Sequence, residues 1–279
     1  MFETIIKALQ ITMNEPKPFG AYHILALMIA FVCVAICASI AQQHSERQLK
    51  YVLAIYAIPT FLLEITKQII WTVSFVNGNA VLDYQWYAFP FQLCTTPMIV
   101  CLICLFLKKC KIRDYLLSYV AFITILGSIA VMIIPSDCFV EDVVVNIHTT
   151  YLHFGSFVVS CYLLMSGETK MTLSCFYKSV FTFCCFASIA NIMNIFMYKS
   201  GIIKDETFNM FYISPYFTSN LPVFDKIQTA VPYPIFLLSY IVALSFGGFV
   251  VLGIAYGLDK MVVKRFSLHK YISKAKIKR

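Results

Sequence analysis

Apolar residues run through this chain in seven long stretches: 20–42, 49–75, 90–107, 114–134, 147–166, 173–198 and 232–258. A helix needs about 20 mostly apolar residues to cross the hydrocarbon of a bilayer. The stretches reach that length, and the polar segments between them are mostly short. The pattern predicts an all-α, polytopic membrane protein with seven transmembrane helices. An N-terminal segment, 1–19, precedes the helical domain 20–258, and a basic tail, 259–279, follows it. In the first segment Phe2, Ile5, Ile6 and Leu9 recur at helical spacing, which suits a short helix lying in the interface. Glu3, Lys7 and Glu15 interrupt that region, so it lacks the basic start and apolar core of a signal peptide. The connection 199–231 is the one long one, carries the aromatic run FNMFYISPYF, and suits either a lid over a site or an irregular loop.

Composition sharpens this picture. Of the 279 residues 60% are apolar and only 13% charged, about half the charged share of a soluble domain. This excludes a cytosolic enzyme, a disordered tail and a free nucleic-acid binder. The net charge of +8 therefore reads as cytoplasmic loops rather than a nucleic-acid surface. One set of connections holds Arg47, Lys50, Lys108, Lys109, Lys111, Arg113, Lys170 and Lys178, and the tail KMVVKRFSLHKYISKAKIKR joins that set. The opposite set holds Lys7, Lys17, Lys199, Lys204 and Lys226, and its loops 76–89 and 135–146 carry Asp83, Asp137, Glu141 and Asp142 instead. The expected orientation is N-terminus outside and C-terminus cytoplasmic, in a multi-pass protein of the cell membrane. The tail suits a solvated helix or one touching anionic lipid.

Most of the eleven cysteines lie inside the apolar stretches, where a thiol packs as a small hydrophobe. Cys101 and Cys104 have the spacing of a metal or redox pair but lack a second pair or a nearby histidine. No metal and no cofactor are expected. Ionisable and strongly polar groups within the spans are few and costly, so each is a candidate site residue. They are His23, Glu64, Lys67, Gln68, Cys94, His148, His153, Asn191 and Asn194. Counted inward at 1.5 Å per residue, most fall within about 10 Å of the outer boundary. Glu64, Lys67, Gln68 and Trp71 share one helix face, with Glu64 near the middle of span two. A self-neutralising Glu64–Lys67 pair fits that stripe, and so does a Glu64 that orients His153 or His23 across the bundle. Asn191 and Asn194 suit interhelical hydrogen bonds.

Cys94 stands between Pro90 and Pro97, which predicts a kink or a free N-terminal helical turn at that point. The amides and dipole of such a turn favour an anion, either a thiolate or an oxyanion. His148 and His153 lie at similar depth but about 140° apart around a helix, so one of them is expected to face Cys94.

Several fragments resemble, in order, the YwaF-like bacterial integral membrane family, which is related to the animal transmembrane protein 164, an acyltransferase of ether phospholipids. FPFQLCTTPMIVCLICLFLKK resembles its "LPLHLCsl" signature, FGAYHILAL its opening around His23, GSIAVMIIPSD its "PD" helix end, and TYLHFGSFV its "sHg" around His153. NMFYISPYFTSNLPVFDKIQTAVPYPIFLL, with Asn209 and Tyr212, is similar to its closing "NYMYL…WPwY". The resemblance implies a catalytic cysteine and histidine at Cys94 and His153, with membrane phospholipids as acyl donor and acceptor. Two departures stand out: Gln92 replaces the histidine of the signature, and the closing motif reads Val231-Pro232-Tyr233-Pro234. His23, Glu64, Gln92, His148, Asn191, Asn194, Asn209 and Tyr212 are the expected supporting residues. The competing readings are a small-solute transporter or binding subunit without covalent chemistry, and an assembly protein.

Overall fold

The computed structural model describes residues 2–135, 138–203 and 206–277. Asp137 and Lys204 of the charge pattern lie outside the described residues, as do the side chains of the tail beyond 261. The chain is mostly helical. In order it forms α1 Phe2–Leu9, α2 Ala21–Ala41, α3 Glu46–Ile70, a hairpin of β1 Val73–Val76 and β2 Asn79–Leu82, α4 Thr96–Phe106, and α5 Lys111–Tyr119. A π-turn at Val120–Thr124 leads into α6 Ile125–Ile133, followed by α7 Val143–Met165, α8 Leu173–Ser200, α9 Phe224–Ala230 and α10 Tyr233–Ile277.

Five segments are long and apolar enough to cross a membrane: Ala21–Ala41, Glu46–Ile70, Lys111–Ile133, Leu173–Ser200 and Tyr233–Met261. Their outward faces carry large apolar side chains such as Ile29 and Phe31 on α2, Phe196 on α8 and Phe246 on α10, a surface that suits lipid rather than water. Helix α4 is apolar but short. Helix α7 has 23 residues and carries Asn146, His148 and His153 along its first half. It runs against α2, α3 and α6, and so forms the centre of the bundle.

Local chemistry fixes the helix ends. Ser45, Asp142 and Thr172 cap α3, α7 and α8 by accepting the amides of Gln48, Val145 and Cys175. Pro59 lies inside α3 and leaves the carbonyl of Ile55 without its helical donor. The Tyr151 hydroxyl of α7 donates to that carbonyl at 2.6 Å, so the gap becomes an interhelical tie, as an apolar medium requires. The π-turn is treated the same way. Its Val120 carbonyl accepts from Thr124 Oγ1 at 3.0 Å and from Ser160 Oγ of α7 at 2.8 Å.

At Gly155 the Tyr56 ring of α3 lies so close that a Cβ would fall 2.7 Å from its Cδ2 atom. Tyr56 is buried and its hydroxyl donates to the Leu152 carbonyl, so the ring cannot swing aside without losing that bond. Gly155→Ala is expected to cost about 1–3 kcal/mol, the usual cost of overpacking. A thermal melt in detergent reads this as a lower midpoint, and an unchanged midpoint contradicts the packing described.

At the end of the bundle opposite the hairpin, Arg113 at the start of α5 is fully buried. It donates to both carboxylate oxygens of Glu46, and to Glu168 at 3.1 Å. His44 bridges onward, with Nε2 3.1 Å from Glu168 and Nδ1 3.1 Å from the Tyr162 hydroxyl. This cluster ties the α2–α3 turn, α3, α5 and the end of α7 together.

Candidate functional site

Helix α3 ends at Ile70, five residues before the expected limit, because the chain turns into the hairpin through Asn77-Gly78, both at positive φ. Glu64 therefore lies six residues, roughly 9 Å, from the helix end. It is shallower than mid-span and level with the start of α7.

Glu64 is the hub of a buried polar cluster. Lys67 Nζ lies 2.8 Å from Glu64 Oε1, and Gln68 Nε2 donates to the same oxygen at 2.7 Å. His148 Nε2 of α7 lies 2.8 Å from Glu64 Oε2. Gln68 also donates to the Ala88 carbonyl and accepts from the Tyr84 hydroxyl, each at 2.8 Å, which fixes the segment leading to Cys94. The Glu64–Lys67 pair expected from the sequence forms, and Glu64 also reaches a histidine across the bundle, though not either of those expected. The histidine it reaches is His148, and neither His153 nor His23. His23 sits on the α2–α7 side, where Nδ1 accepts the Phe19 amide at 2.9 Å and the ring packs on Phe139 and Phe154. It closes the turn that opens α2.

His153 is buried on the α7 face that carries Ser156 and Ser160, facing the interior. Lys67 is close enough to act electrostatically on both His153 and the Cys94 sulfur. This lysine was not among the residues expected to support the site. Its helical spacing from Glu64 was the signal, but a self-neutralising pair accounts for that spacing as well.

Cys94 precedes α4. Of the two backbone forms that Pro90 and Pro97 allow, the structure has the free turn. Thr95 occupies the N-cap position and Pro97 follows within the first turn. The amides of Thr95 and Thr96 are already engaged, since both donate to the Gln92 carbonyl, at 3.0 and 3.2 Å. Thr95 Oγ1 closes the turn by accepting the Gln92 amide at 3.0 Å. Glu64, Lys67 and the phenols of Tyr56, Tyr119 and Tyr240 lie within electrostatic reach of the half-buried thiol. Tyr119 reaches the turn because it directly precedes the π-turn, and its hydroxyl lies 2.7 Å from Thr96 Oγ1.

Among the supporting residues expected from the sequence, Gln92 and Asn194 hold the 199–231 connection down and Asn209 braces it from within. Gln92 Nε2 donates to the Asn209 carbonyl and Gln92 Oε1 accepts the Phe211 amide at 2.8 Å. Asn194 brackets Met210, accepting its amide at 2.7 Å and donating to its carbonyl at 3.0 Å. Asn209 accepts the Ser214 amide and donates to the Thr218 carbonyl. Asn191 accepts from the Tyr233 hydroxyl at 2.6 Å. Between these anchors Phe211 and Tyr212 both adopt positive φ, 59° and 57°, a conformation that costs a non-glycine residue roughly 1–3 kcal/mol. The amide bonds on either side hold it.

A groove of about 430 Å³ opens between α3 and the start of α4. Phe61, Ile65, Ile69, Met98 and Ile99 line it, and Glu64 and Gln68 form its polar end.

Residues 18–252 match the family model described as the TMEM164 family. The chain belongs to the TMEM164 family. The matched region takes in Cys94, both central histidines and the anchored loop, and leaves out α1 and the basic tail. No curated protein and no solved structure matches the chain. Membership in the TMEM164 family, with the apolar helices, makes this a membrane protein.

Proposed function

We propose that this TMEM164-family chain is a membrane-embedded phospholipid acyltransferase with Cys94 as nucleophile and His153 as base, related to the YwaF-like bacterial integral membrane family. Seven spans, the five long apolar helices with α4 and α7 added, carry the site near the outer leaflet of the cell membrane. The N-terminus lies outside and the C-terminus in the cytoplasm. The observation that carries the reading is the buried Glu64–Lys67–His148 cluster beside the Cys94 turn. Ionisable groups at such depth are costly, and they persist where they line a site. In the reaction Cys94 gives its proton to His153 and its sulfur attacks the ester carbonyl of a donor lipid. The lysolipid leaves with that proton; a hydroxyl of the acceptor lipid then takes the acyl group as the thioester C–S bond breaks, and its proton returns through His153 to the Cys94 sulfur. Lys67 supplies a positive charge within electrostatic reach of the sulfur, and Glu64, itself paired with His148, holds it in place.

The test is mass spectrometry of the purified protein incubated with an alkyne-tagged phosphatidylcholine. A hydroxylamine-labile acyl adduct is expected on the Cys94 peptide, and a protein that turns over lipid without one is not this enzyme. A carrier would form none. The contact between Glu64 and His148 favours a second assignment, with His148 as the base, in the manner of an acid-oriented histidine. His153→Gln and His148→Gln separate the two, because loss of the base slows adduct formation and loss of a supporting group has the lesser effect.

Orientation has its own experiment, in a chain with Cys110→Ser and Cys138→Ser. Ala80→Cys on the exposed β2 strand is expected to react with a membrane-impermeant maleimide on intact cells, and Lys111→Cys only after lysis. The reverse pattern would place the site at the other face.

A further inference from the structure

The first turn of α4 offers an acyl-transfer oxyanion few donors. Pro97 has no amide hydrogen, and the Thr95 and Thr96 amides donate to the Gln92 carbonyl. A thiol that attacks an ester drives negative charge onto the carbonyl oxygen, and a donor aimed at that oxygen is usually a large part of the catalysis. Three phenols lie within electrostatic reach of the sulfur. Tyr56 donates to the Leu152 carbonyl, at 3.2 Å, and the Tyr119 hydroxyl is bonded to Thr96 Oγ1, at 2.7 Å. Tyr240 is different. It projects from α10, its ring is held against Phe183 and Phe224, and the residue is 0% exposed. Its hydroxyl has no hydrogen-bond partner among the described residues, and Cys94, Tyr119 and Tyr212 lie within electrostatic reach of it.

A buried hydroxyl without a partner costs roughly 1–3 kcal/mol relative to one that is bonded, and native proteins keep few of them. The bundle could have placed phenylalanine at this position at no cost in packing. We propose that Tyr240 is a catalytic residue whose phenol donates to the carbonyl oxygen of the donor ester as Cys94 attacks it. This rests on the acyl-transfer reading and adds the oxyanion donor to it. In the step, the C–S bond forms as the carbonyl π electrons move to oxygen, and Tyr240 donates its O–H to the resulting oxyanion without losing the proton. When the pair returns to re-form the carbonyl, the ester C–O bond breaks. The lysolipid oxygen takes the proton that the thiol gave to the histidine, leaving the thioester on Cys94 and Tyr240 again without a partner.

Tyr240→Phe removes one oxygen and leaves the ring packed. Single-turnover acylation of Cys94 by the tagged phosphatidylcholine is expected to slow by about 100-fold or more, the scale of losing one oxyanion donor. Alkylation of Cys94 by iodoacetamide displaces iodide and creates no oxyanion, so its rate, read on the same peptide, is expected to stay within about twofold of the unsubstituted protein. Acylation at the unsubstituted rate in Tyr240→Phe would overturn the proposal. Equal slowing of acylation and alkylation would also overturn it, since Tyr240 would then only shape the site. If the unsubstituted protein never forms the adduct, the acyl-transfer reading falls first and this assignment with it.

Discussion

Cys94→Ser is expected to lower lipid acyl transfer by at least about a thousandfold, the scale on which enzymes lose activity when their nucleophile is removed. The change replaces sulfur by a smaller oxygen at a half-buried position, so the turn that Gln92 and Thr95 close is left standing. Thermal stability is expected to stay close to that of the unsubstituted protein. A serine hydroxyl is a far weaker nucleophile than a thiol unless a base removes its proton during attack. Transfer assayed from a tagged donor to a lysophospholipid acceptor in nanodiscs checks this. Activity within a few-fold of the starting protein would remove Cys94 from the chemistry and leave it as packing beside an ion cluster. The transport reading would then lead.

Arg113→Met is expected to produce the largest loss of stability. The two arms of the arginine differ in worth. Glu46 is about half exposed, so its pairing contributes at most about 1 kcal/mol. The Glu168 side chain is only 6% exposed, and removing the buried cation leaves it with His44 alone. Breaking a buried pair on one side typically costs about 3–5 kcal/mol, because the remaining charge stays out of water without compensation. The expected outcome is a large drop in folded yield, with recovery in the double variant Arg113→Met, Glu168→Gln, which removes the stranded charge as well. Equal yields for the single and double variants would show that Glu168 is solvated and the cluster incidental.

The bundle was legible in the sequence because membrane helices follow from a simple requirement of apolar length. The start of α2 and the core of α8 fall close to where the hydropathy pattern puts them. The hairpin was not seen, although Asn77-Gly78 between Val73–Val76 and Asn79–Leu82 has the residues of a tight two-residue turn. An apolar run that continues past a helix end gives no sign of the change in period, so the span was drawn to 75 and Glu64 too deep. The free turn at Cys94 was legible from Pro90 and Pro97. The partner of Glu64 was not, since which of two histidines on one helix faces α3 depends on rotation, and sequence spacing fixes only their difference. His23 was grouped with the cluster on depth alone, and depth says nothing about which side of a helix a side chain occupies. Gln92 looked like the loss of a histidine. Its two bonds to the loop give the residue a role that an amide fills with both of its ends.

Those bonds have a consequence for water. The side chain of Gln92 grips the loop at Asn209 and Phe211, and its own carbonyl gathers the amides that shape the turn at Cys94. Any rise of the loop wide enough to admit a lipid headgroup pulls on the residue that sets the sulfur's position. On the acyl-transfer reading, a sulfur aligned in this way is well placed only while Gln92 keeps its hold on the loop. Bulk water arriving through an open loop would meet a thioester whose surroundings have slackened, and an acceptor lipid enclosed with the loop closed would meet them taut. On the acyl-transfer reading, one glutamine would thus bias the outcome toward transfer over hydrolysis without touching either substrate.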